Sequence, residues 1–216
     1  YFFVVVVCAL LAKSAQGDTN RCFRLEALPD SLRQLAGHYL ARAMERSALF
    51  TIVGGIKPMS EGFAEEPIPF GVPESRLLRA LAAVAETFRC EGRYEIVPLL
   101  TAPDDDGDRI LRLFWVNVPA FRRVLTRRAI FFRRLGLSSS DPIALVVHTV
   151  ERAAEPLRSE AFGALFGYPY DATRFFARRA RRIREDRRVG PVRHVRIDGI
   201  LGSPEFIYAV PADAPE

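Results

Sequence analysis

At 216 residues, 49% hydrophobic and 26% charged, the chain can bury a proper core, which excludes a disordered polypeptide and suits one domain. Its net charge of +5 and pI of about 9.4 favour anionic partners mildly, and nucleic acid is disfavoured because the excess is too small to demand it. The positive charge is almost all arginine: of 31 basic residues, only Lys13 and Lys57 are lysines.

The amino terminus, YFFVVVVCALLA, is an unbroken apolar run. It is long enough for the core of a secretory leader and short of the roughly 20 residues that span a bilayer. Ala15-Gln16-Gly17 places small side chains where a signal peptidase reads them. Residues 1–17 are therefore expected to be a signal peptide beginning upstream of Tyr1, cleaved before Asp18; an uncleaved anchor is the alternative. Residues 18–216 are expected to form a single α+β domain, periplasmic or extracellular, with no transmembrane span in the mature chain. Removing the leader takes Cys8 with it and leaves Cys22 and Cys90, an even pair that export would oxidise to a disulfide.

Residues 31–49 carry a Ser31-x-x-Gln34 capping box and apolar residues at helical spacing. FTIVGGIKPMS then reads as a short β-branched strand broken by Gly54-Gly55. A Pro/Gly/Glu-rich loop leads into an amphipathic helix over 74–89. RYEIVPLLTA and RILRLFWVNV, joined by the acidic PDDDGD, read as a hairpin. Four further helices are expected: 119–136, closed by Gly136; 140–155, capped by Ser140 or Asp141; 157–167, closed by Gly167; and 171–188, capped by Asp171. Residues 192–210 read as a second hairpin. The expectation is α+β: a small antiparallel sheet, two hairpins plus one short strand, packed with about six helices on one face.

The spacings of zinc, nucleophile-elbow, phosphate-loop and zincin sites are all missing, and neither a metal nor a cofactor is expected. The DDDGD stretch at 104–108 lacks the length and closing glutamate of a calcium loop and reads as a solvated turn. His38 reads as an ordinary surface histidine. His148 and Glu151 are three residues apart on one helical face and make a pair able to move a proton; a solvent-side ion pair is the plainer reading.

Lys57 stands out. Arginine is the default cation here, and lysine can lose its proton on burial where arginine cannot. Pro58 pushes Lys57 towards extended geometry, and the glycines before it shape a loop presenting Lys57, Ser60 and Glu61. Arg128 and Arg179 project into otherwise apolar helical faces, so each needs a partner: an internal carboxylate, an anionic ligand, or solvent reached along the stem. Tyr168 and Tyr170 either stack on a ligand or fill a corner.

The favoured function is an exported domain that binds an anionic ligand through Lys57 and the inward arginines, a small molecule, wall polymer or lipid headgroup. One alternative is an exported hydrolase or transferase using Lys57 with Ser60, or His148 with Glu151. The other is a structural protein laying its basic helix 171–188 on a membrane or partner.

Overall fold

The computed structural model describes residues 22–46, 48–61, 65–68, 75–101, 106–185, 190–198 and 204–213, with the backbone alone for 65, 75–78, 180, 184, 196–198 and 204–209. The expected leader, Asp104, Asp105, Arg187 and Arg188 lie outside the described residues.

The fold is α+β. Helices run over Asp30–Glu45 (α1), Ala48–Ile52 (α2), Ser75–Phe88 (α3), Val118–Arg127 (α4), Ala129–Arg133 (α5), Ile143–Glu151 (α6), Leu157–Leu165 (α7) and Tyr170–Arg184 (α8). Strands run over Met59–Ser60 (β1), Glu65–Ile68 (β2), Tyr94–Leu100 (β3), Arg109–Asn117 (β4), Val192–Asp198 (β5) and Pro204–Pro211 (β6). β4 is central: β3 pairs along one edge, while β1 and β2 pair end to end along the other, all antiparallel. β5 and β6 form a separate hairpin that packs on α8 through β6.

Alternation along β4 divides the core in two. Leu111, Leu113 and Trp115 face a cluster built with Tyr39, Leu40, Ile52, Leu81 and Phe88 from α1, α2 and α3. Phe114 and Val116 face a second cluster with Phe121, Phe132, Val147 and Leu165 from α4 to α7. Helices thus cover both faces of the sheet, not one. A strand buried on both sides reads as a nearly continuous apolar run, which is what LRLFWV is.

Cys22 and Cys90 are bonded, with Cα atoms 4.6 Å apart. The bridge sets Phe23 beside Trp115, their rings stacked at 5.9 Å, with Phe88 on the same indole at 5.1 Å. Phe23 holds a φ of +58°, a conformation bulky residues avoid. The bridge and the Arg24 N–H bond to the Thr87 carbonyl, at 3.1 Å, fix it there.

Several local expectations need correction. Residues 48–52 are a helical turn rather than a strand, closed by Val53 and Gly54 N–H bonds to the Leu49 carbonyl. The strand begins only at Met59. The helix expected over 119–136 is two, broken at Arg128 (φ −112°, ψ 30°). α1 starts at Asp30, so Ser31 caps nothing. α6 starts without a side-chain cap, because Asp141 turns back to accept from the Ser138 N–H and hydroxyl, and it stops at Glu151. α8 likewise starts at Tyr170, with Asp171 inside its first turn.

Candidate functional site

A cleft of about 640 Å³ opens on the second face of the sheet, between the segment before β1, β4, the end of α6, α7, α8 and β5. Its size suits a small organic ligand. Lys57 forms part of its wall at 6% exposure.

The backbone fixes that placement. The N–H groups of Ile56 and Lys57 both donate to the Phe50 carbonyl, at 3.0 and 3.3 Å. Asn117 donates its N–H to the Pro58 carbonyl at 2.9 Å and its side-chain amide to the Thr51 carbonyl at 3.1 Å. The same side chain accepts from the Ala120 N–H and caps α4. From the other side Gly167, at φ +80°, closes α7 so near that a Cβ there would meet Pro58 Cδ at 3.0 Å.

Extended geometry then sorts the loop by parity. Lys57 and Glu61 line the cleft, and Met59 between them enters the second core. Ser60 points through to the other side, where its buried hydroxyl bonds that of Thr51. Lys57 and Glu61 come together in the cleft; Ser60 does not join them.

Phe114, Phe162 and Phe166 make an aromatic wall. Their ring centroids lie 5.7 to 6.3 Å apart, with interplanar angles of 12 to 25°. Tyr168 meets Phe166 edge-on at 6.3 Å. Burial raises the Tyr168 hydroxyl pKa, and the Glu61 carboxylate raises it further, so the phenol stays protonated. Helix α8 closes against α7 only because residue 163 is glycine: a Cβ there would stand 2.5 Å from Thr173 Cγ2.

The charged lining is balanced: Lys57, Arg112 and Arg158 against Glu61, Glu151 and Glu155. Arg158 Nε donates to Glu155 at 3.1 Å, and Glu155 also accepts from the Ser159 N–H at 3.2 Å, which caps α7. Burial pushes the Glu155 carboxyl up, but the Ser159 side chain and N–H and the Arg158 guanidinium outweigh it and hold the group below its ordinary value. Arg112 stands 3.9 Å from Glu61, both about one-third exposed. That separation is long for a charge-assisted hydrogen bond, and both side chains line the cleft.

The other residues singled out in the sequence lie elsewhere. Arg128, half-buried at the α4–α5 break, stacks over the Tyr170 ring at 5.0 Å, and Arg174 takes the same ring at 5.3 Å. Arg179 donates to the Gly190 carbonyl at 2.5 Å. Neither arginine expected to face inward lines the cleft, nor does Tyr170. Glu151 lines it without His148, whereas His194 reaches it from β5. Sequence reasoning missed Arg112, Arg158 and the three phenylalanines. Arg112 was the findable one: it sits at a core-facing position of β4, in register with Leu99.

Among the described residues, no group of three metal-ligating side chains comes together, and no helix is long and apolar enough to cross a membrane. No family model, curated protein or solved structure matches the chain.

Proposed function

We propose that the protein is an exported binding domain whose cleft takes a small anionic amphiphile. The anionic head meets Lys57 and Arg112, and the apolar body lies along Phe114, Phe162 and Phe166. The observation that carries this reading is Lys57 itself. It is buried and lines the cleft, on a backbone held in place by the close approach of Gly167 and by the Asn117 N–H bond to the Pro58 carbonyl. Binding is favoured over Ser-Lys catalysis because Ser60 faces Thr51 rather than the cleft.

Export is the companion inference. It draws on the apolar run, the small residues at 15–17 and the Cys22–Cys90 bond. Amino-terminal sequencing of the secreted chain should begin at Asp18; a retained amino terminus would count against it.

The binding test uses anilinonaphthalene sulfonate, an aromatic anion that fluoresces when shielded from water. It should bind saturably to one site, and Lys57→Met should weaken it about tenfold or more without lowering the melting temperature. The uncharged phenylnaphthylamine should be insensitive to the same change. Equal binding of the sulfonate by wild type and Lys57→Met would overturn the reading.

A further inference from the structure

We propose that the exposed half of α8 is a docking surface for an anionic lipid bilayer. The segment from Tyr170 to Glu185 carries six arginines and two acids, Asp171 and Glu185. Glu185 is already bound to Arg181 at 2.7 Å. Arg174, Arg178 and Arg182 are exposed and have no acidic partner among the described residues. At 3.6 residues per turn, these three and Arg181 fall within a sector of about 100°. Arg128 adds a fifth guanidinium through the shared Tyr170 ring.

Charge alone would suit any polyanion; the remainder of the exposed surface chooses among them. Going round the helix from the arginines, it passes Phe175 and Arg179 and ends at Ile183 and Phe176, which are 56% and 55% exposed. A surface cationic at one edge and apolar at the other matches the headgroup boundary, where arginines meet phosphates and apolar side chains enter the acyl region. A nucleic acid would leave Ile183 and Phe176 in water. The arginines named here and Ile183 do not line the cleft, whereas Phe176 stands at its rim, so the arginine and Ile183 variants test this surface apart from the cleft.

The test is sedimentation of the full chain with vesicles of phosphatidylcholine alone or mixed with phosphatidylglycerol. Binding should require phosphatidylglycerol, weaken with added salt, and fall at least about tenfold in Arg174→Glu/Arg178→Glu/Arg182→Glu. Ile183→Ser should weaken it severalfold. If the triple variant melts early, Arg182→Gln is read instead, with an expected loss of about fivefold. Three results overturn the proposal: equal binding to phosphatidylcholine; unchanged binding by the arginine variants, which would assign it to the apolar amino-terminal run; or tighter binding to a DNA duplex than to vesicles at the same salt.

Discussion

Gly167 and Lys57 are in close approach: a Cβ at residue 167 would lie 3.8 Å from Lys57 Cα and 3.0 Å from Pro58 Cδ. The turn that ends α7 is thus also a wall of the loop that carries the cleft's ammonium. Gly167→Ala meets two penalties, a backbone at φ +80°, costing about 1–2 kcal/mol, and the crowding of Pro58. Gly136 separates them, because it has φ +73° with nothing within 4 Å of its Cβ position. Both alanine variants should melt early in thermal denaturation. Only Gly167→Ala should also weaken anilinonaphthalene sulfonate binding.

The Cys22–Cys90 bond closes a loop of 68 residues, for which chain entropy predicts a stabilisation of about 4 kcal/mol. Replacing both cysteines with serine should lower the urea midpoint accordingly. Trp115, buried under Phe23 and Phe88, should report the loosening of that corner as a red shift in fluorescence before the global transition. Coincident transitions would show that Phe23 holds its place without the bond.

Glu155 gives the pH prediction. Its pKa is depressed in the folded state, so its contribution is present above the unfolded value, near 4.5, and is lost as pH falls through the folded one. Glu155→Gln should therefore melt below wild type at neutral pH, and the gap should close on acidification. Differential scanning calorimetry across the carboxylate range checks the sign; a gap that widens in acid would contradict it.

The sequence was most legible where one force dominated. The β3–β4 hairpin followed from apolar runs around an acidic turn, and the disulfide from counting cysteines beyond the expected leader. β2 was hidden because Glu65, Glu66 and Pro67 are poor strand residues, tolerated at an edge that β4 alone pairs. The break at Arg128 was hidden because the apolar stripe of residues 121–135 runs on through it. Of the site, Lys57, Glu61 and Tyr168 were visible as unusual residues beside glycine and proline. Arg112 and Arg158 join them only through the register of β4 and the docking of α7, which local patterns do not carry.

β4 belongs to both halves of the core, and the order of synthesis gives that sharing a cost. In the export proposed above the chain emerges amino terminus first, so once Asn117 is out, the residues of the described strands around β4 and of the helical layer over Trp115 have emerged. The layer over Phe114 and Val116 is still to come, in residues 118–165. The emerging chain will therefore expose a finished sheet with one bare apolar side, the surface most prone to stick to other chains. Chaperone demand should peak there and fall once Leu165 has emerged.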